Sequence, residues 1–400
     1  SENLKAGVQN RAERLADGIV PFSFLGALAA WIFTGKPSKA LSVFMVDYSW
    51  GIKLSASISV ISAMREAAAK KIMVKGGKFL EAFAEADTII FDKTGTLTEA
   101  CPAVSSVLAL RGYGEDEILR TAACIEEHFP HSMARAVVRA ACERGLVHEE
   151  RHADVEYVVA HGVVTMLDGK RTLIGSAHFV FEDEKIPYNE EDRQIVEKAA
   201  EGASALYLAI GGELAGVIFI NDPPRNEAAD AIAGLRRLGV KNVVMLTGDS
   251  ENAARAVSER LGIDTFRAQV LPAQKAEIIE EYKKNGSKVI MVGDGVNDSP
   301  ALAAADVSVS MRDSSDIARE VADITLLSAD LRELVLLREL SQRLFIRINR
   351  NYRFVIGFNT VLLIFGLTGI MPPGRTALLH NASTIGLSAS SARPLLKSLV

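Results

Sequence analysis

Cysteine is nearly missing from this chain: 400 residues carry three, Cys101, Cys124 and Cys142, at spacings that fit neither a disulfide framework nor a zinc module. That excludes a small oxidised scaffold and suits a reducing compartment. An excess of one charge is lacking too, with 45 Lys and Arg against 50 Asp and Glu, so no nucleic-acid partner is expected. The start at Ser1 shows no charged segment followed by an apolar core and a small-residue cleavage site, so no secretory leader is read there.

What the chain does have is three short apolar runs that each end in acid and glycine. The first is Ile89-Ile90-Phe91-Asp92-Lys93-Thr94-Gly95-Thr96-Leu97-Thr98, the second Val243 to Ser250 with Thr247-Gly248-Asp249, and the third Val289 to Asp298 with Gly293-Asp294-Gly295-Val296-Asn297-Asp298. Runs of this length read as buried strands, and open α/β sheets put their chemistry at the carboxyl ends of such strands. Asp92 is placed to act as a nucleophile toward a phosphoryl group, with Lys93 to offset charge and Gly95 to let the chain turn tightly. Phosphoryl transfer calls for a divalent ion, and Asp92, the backbone carbonyl of Thr94, and Asp294 form the oxygen set that suits Mg²⁺.

The run from Asp92 to Thr98, the Thr247-Gly248-Asp249 triplet and the stretch from Gly293 to Asp298 resemble the signature set of the P-type cation-transporting ATPases. The heavy-metal branch is the nearest likeness. The resemblance implies an α/β haloacid-dehalogenase-like phosphorylation domain with an inserted α+β nucleotide-binding domain, plus transmembrane helices. It further implies that Asp92 takes the γ-phosphate of ATP, that Thr247 and Lys275 hold that phosphate, that Asp294 binds Mg²⁺, and that Asn297 and Asp298 position the phosphate and the loop. Within the insert, Glu126 and His131 match residues that contact adenine, although Ser132 replaces the usual proline. Gly162 and Gly175 are then adenine-pocket glycines, and Asp222 and Arg225, in Asn221-Asp222-Pro223-Pro224-Arg225, resemble the hinge back into the phosphorylation domain.

Apolar stretches predict four membrane spans, Ile19 to Thr34, Ala40 to Ala63, Phe354 to Ile370 and Thr376 to Ser390, with basic flanks that put the catalytic domains in the cytoplasm of a cell-membrane protein. From Ile61 to Ala86 the pattern is helical, broken only at Gly76-Gly77. Polar groups at membrane depth mark a transport path or a packing seam. Asp47 and Ser49 lie in the second span, and His380, Asn381 and Thr384 share one helical face in the last. Asn359, beside Phe358, resembles a ligand pair of the heavy-metal pumps. With no cysteine in any span, a soft thiolate site is excluded, and oxygen and imidazole ligands remain.

The expected division is 1–66, a transmembrane hairpin; 67–104, a linker helix and first part of the phosphorylation domain; 105–220, the nucleotide-binding domain; 221–335, the second part of the phosphorylation domain; and 336–400, a linker helix and C-terminal transmembrane hairpin. The expected function is ATP-driven transport of a transition-metal cation through an aspartyl phosphate. A haloacid-dehalogenase-type phosphatase and a degenerate, non-pumping ATP-binding regulator are the alternatives. No Thr-Gly-Glu actuator motif is present, so an N-terminal actuator and earlier spans are expected elsewhere in the complete protein, and a protein starting at Ser1 would phosphorylate itself without completing the cycle.

Overall fold

A computed structural model of the chain describes residues 7–99, 101–127, 132–146, 156–158, 162–200, 203–293, 298–312, 316–328 and 330–396. The apolar run Thr88–Asp92 is buried at every position, as a strand covered on both faces must be. It lies inside a seven-stranded sheet ordered Ile72–Val74, Ile324–Leu326, Val307–Ser310, Val289–Gly293, Thr88–Asp92, Asn242–Leu246, Thr265–Arg267. All neighbouring pairs are parallel except the edge pair of Ile72–Val74 with Ile324–Leu326. Helices such as Ala228–Arg237, Glu251–Leu261 and Pro272–Lys284 connect the strands, giving the α/β layering expected of alternating strand and helix.

The chain leaves this sheet after Thr98 and returns at Pro224, the two residues forming an antiparallel bridge. Between them stands a six-stranded antiparallel sheet, ordered Ala103–Ala109, Glu213–Asn221, Ser204–Ile210, Lys170–Gly175, Gly162–Leu167, Glu156–Val158. Ile118, Leu119 and Ile125 from helix Glu115–Glu126 and Val137 from helix Ser132–Glu143 pack on one face, and Phe179, Val180 and Val196 pack in a second cluster with Leu173, Val217 and Phe219. Gly162 is paired in register with Gly175, and a β-carbon at Gly162 would collide with the Phe179 ring and lie 2.6 Å from the Ile174 carbonyl.

Five helices form the remaining unit: Gly7–Thr34, Pro37–Phe44, Tyr48–Ala69, Arg332–Thr368 and Pro373–Ser391. Small residues let them approach closely; a β-carbon on Gly366 would sit 2.6 Å from that of Ser42, and Gly51 faces Val355. The outer faces carry exposed Phe22, Phe33, Trp50, Ile61, Ile364 and Ile385. The tail after the last helix is held by side chains of two others. Glu66 accepts from the amides of Leu395 and Leu396 at 2.7 and 2.8 Å, while Arg347 donates to the carbonyls of Ser391, Arg393 and Pro394.

Three expectations change here. The second span is not one helix: the chain breaks at Met45–Asp47, because Asp47 takes extended backbone and its carboxylate caps the next helix by accepting from the Ser49 amide at 2.7 Å. The stretch after Ile61 is not helical up to Gly76, since Ile72–Val74 peels off as an edge strand paired with Ile324–Leu326. Of the four expected spans, one described helix, Arg332–Thr368, is long and apolar enough to cross a membrane, and Pro21–Thr34 is a shorter apolar segment.

Gly162→Ala is therefore expected to lower the stability of the inserted lobe by about 1–3 kcal/mol through overpacking against Phe179. Chemical denaturation of the lobe followed by circular dichroism checks this; an unchanged midpoint would contradict the packing.

Candidate active site

Asp92 ends the central strand, and the parallel register sets it opposite Leu246, so that Thr247-Gly248-Asp249 begins at the same sheet edge. On its other side Phe91 is level with Val292, one residue before Gly293 closes that strand. After Asp92 the backbone turns at once: Gly95 takes φ +76°, a conformation that favours glycine. The loop is pinned from beneath. Thr98 Oγ1 accepts from the Gly95 amide at 3.1 Å and donates to Asp222 Oδ2 at 2.6 Å, while Arg225 donates to the carbonyls of Thr96 at 2.9 Å and Gly95 at 3.1 Å.

Charge is concentrated and almost dry. Asp92, Lys93, Lys275 and Asp298 are all buried. Lys275, in the first turn of helix Pro272–Lys284, places Nζ 2.5 Å from Asp92 Oδ1 and 2.6 Å from Asp298 Oδ1. Lys93 pairs with Asp249, whose Oδ2 also accepts from Thr247 Oγ1 at 3.1 Å. Two cations thus face three carboxylates. Burial pushes the Asp92 carboxyl up to about 6; Lys275 opposes this, Asp298 adds to it, and Lys93 pulls it back. Loss of water around Lys275 works against its charge, but Asp92 and Asp298 outweigh that and hold its proton more tightly than usual. Burial likewise raises Asp222, with Thr98 opposing. The ionised form of Asp92 is the one a nucleophile needs, and Lys275 and Lys93 favour it against burial.

The structure thus brings together Asp92, Lys93, Thr94, Thr247, Gly248, Asp249, Lys275 and Asp298. Asp294, Asn297 and His131 lie outside the described residues. Glu126 is buried at the end of helix Glu115–Glu126, and Gly162 and Gly175 sit in the inserted sheet. Asp222 and Arg225, expected at the hinge, both turn to the Asp92 loop and tie the hinge to it. Sequence reasoning passed over Thr98 as a positioning group, although a threonine three residues after a turn glycine is a recurring side-chain-to-backbone signal.

In the helical unit, Asn359 and His380 meet: His380 Nδ1 lies 3.3 Å from Asn359 Oδ1, and Asn359 Nδ2 donates to the Asp47 carbonyl at 3.1 Å. Asp47 contributes its backbone there, its carboxylate being used on Ser49. Thr384 Oγ1 donates to the His380 carbonyl. Asn381 does not join them; one residue on from His380, it is exposed, as a turn of about 100° per residue requires.

Residues 86–306 match a family model described as haloacid dehalogenase-like hydrolase. Over 396 residues the chain is 36% identical to a zinc-exporting P-type ATPase of Mycobacterium marinum, a match covering 98% of this chain and 54% of that protein. It is also 36% identical, over 392 residues, to a manganese-exporting P-type ATPase of Mycobacterium tuberculosis, covering 97% of this chain and 54% of the relative. A solved zinc-transporting PIB-type ATPase in its E2.Pi state superposes with a TM-score of 0.73 at 29% identity, across 97% of this chain and 66% of that one. The chain spans about half the length of the curated relatives it matches. The buried aspartate at the end of a central parallel strand, braced by Lys275, lies within the matched residues, and the chain belongs to the haloacid dehalogenase-like hydrolases and, within them, to the heavy-metal P-type ATPases.

Proposed function

We propose that this chain carries the catalytic domains and adjoining membrane helices of an ATP-driven pump for a transition-metal cation, working through an aspartyl phosphate on Asp92. The observation that carries the reading is the buried Asp92 braced by Lys275 at the carboxyl edge of the sheet. A carboxylate oxygen of Asp92 attacks the γ-phosphorus of ATP, the bond from that phosphorus to the bridging oxygen breaks, and ADP leaves. Lys275 and Thr247 hold the transferred phosphoryl oxygens, and Lys93 balances charge beside Asp249. Hard oxygen donors, the Asp92 carboxylate and the Thr94 carbonyl with Asp294, fit Mg²⁺, which when bound neutralises phosphate charge. Residues 105–220 act as the nucleotide-binding domain, between the two parts of the phosphorylation domain at 67–104 and 221–335. A phosphatase would have no use for that lobe, and the metal-exporting relatives weigh against a regulator without turnover.

The transported ion meets Asn359, His380 and the Asp47 carbonyl, with Ser49 and Thr384 nearby in sequence and fold; these are oxygen and imidazole donors, which suit a borderline divalent metal rather than a soft monovalent one. The relatives that support this export zinc in one case and manganese in another. The exposed apolar faces of the helices fit contact with lipid in the cell membrane, with the catalytic domains in the cytoplasm.

Four outcomes are expected. Incubation with γ-labelled ATP and Mg²⁺ gives acid-stable label that Asp92→Asn abolishes while nucleotide still binds; equal labelling of the two proteins would end the pump reading. Residues 101–221 produced alone bind ATP without Mg²⁺, measured by calorimetry. Because the ionised carboxylate is the ligand, Mg²⁺ affinity falls by about tenfold per pH unit below the value near 6 and levels off above about pH 7. Lys275→Met removes a positive charge that lowers the Asp92 value, so the fall begins at higher pH in titration calorimetry.

A further inference from the structure

Arg338 lies in the second turn of helix Arg332–Thr368 and is buried. Its hydrogen-bond partners are backbone carbonyls at the ends of two helices. Nη1 donates to Phe83, in the last turn of helix Gly77–Glu85, and Nε donates at 3.3 Å to Leu238, which closes helix Ala228–Arg237. One turn further along, Gln342 Nε2 donates to the same Leu238 carbonyl at 2.8 Å. Carbonyls at helix carboxyl termini lack intrahelical donors and carry the negative end of the helix dipole, so a cation is favoured there. The planar fork of arginine reaches two such termini at once, which the ammonium of lysine on its single stem does not.

The two helices are those that lead into the strands of the active site. Helix Gly77–Glu85 runs into Thr88–Asp92, and helix Ala228–Arg237 runs into Asn242–Leu246, the strand before Thr247. Their strands are joined at the near end too, where the Asp87 carbonyl accepts from Lys241 at 2.8 Å and Asn242 at 3.1 Å. The contact is close-packed: a β-carbon on Gly234 would lie 2.9 Å from Val335, and Leu334, Leu337, Leu340 and Leu344 are buried alongside. The same helix, free of proline from Arg332 to Thr368, carries Asn359 about 31 Å further on, at 1.5 Å per residue.

We infer that Arg338, assisted by Gln342, is a positioning residue for phosphoryl transfer. It locks both active-site strands to the helix that bears Asn359, so a shift of that helix at the ion end is delivered to Asp92 and Thr247 together. This rests on the pump reading above.

The test uses the full-length protein in membranes. Initial rates of aspartyl-phosphate formation from γ-labelled ATP are measured over a range of ATP concentrations, with and without Zn²⁺ or Mn²⁺, and are normalised to the protein that binds nucleotide. Arg338→Met is expected to reduce the stimulation by metal about tenfold with the KM for ATP unchanged, the size of a typical coupling between sites. Arg338→Lys restores part of it, and Gln342→Leu lowers it about threefold, within the range seen for mutations that act only on coupling. Undiminished stimulation in Arg338→Met, or a loss that disappears on normalisation, overturns the inference. Should Arg338→Met not fold, Gln342→Leu decides alone: reduced stimulation supports the inference and wild-type stimulation overturns it. Absence of metal-stimulated phosphoenzyme in the unaltered protein removes the pump reading itself, and this inference with it, a result distinct from a wild-type response in the variants.

Discussion

The ammonium of Lys275 between Asp92 and Asp298 is the contact on which the rest of the site depends. Carboxylates at the end of a buried parallel strand are expensive to keep charged, and burial alone drives Asp92 upward. Lys275 offsets that from one side and Lys93 from another, which favours the ionised nucleophile in a buried site. A buried charge network of this kind is weak evidence for stability, because desolvation opposes the Coulomb attraction. It fits a site whose charges must meet an incoming phosphate, where fixed dipoles and cations do their work with little rearrangement.

Much of this was legible because strand ends announce themselves. An apolar run stopping at Asp92, another at Thr247 and a third at Gly293 differ sharply from their surroundings, and the parallel register then brings the first two to one edge. What escaped notice depended on partners distant in the chain. Ile72–Val74 is three residues long and exists as a strand only because Ile324–Leu326 pairs with it. Arg338, one of a series of arginines before an apolar stretch, reads as a basic flank, and nothing local says that Phe83 and Leu238 will enclose it.

The break at Met45–Asp47 is a different kind of miss. Hydropathy averaged over Ala40 to Ala63 hides a local cap signal that was present in the letters, an aspartate two residues ahead of a serine. The break matters to the site in the helices, since it sets the Asp47 carbonyl at the start of helix Tyr48–Ala69, where Asn359 Nδ2 donates to it at 3.1 Å. Asn381, three residues from Thr384, is exposed while its neighbour His380 is buried, because adjacent positions on helix Pro373–Ser391 differ by about 100°.

Because the strand ends at Thr98 and Pro224 share one rung, the excursion between them enters and leaves the main sheet at a single point. The inserted lobe is therefore a pendant on a two-stranded tether. Its size can grow or shrink over evolutionary time with no change in the order of the seven strands.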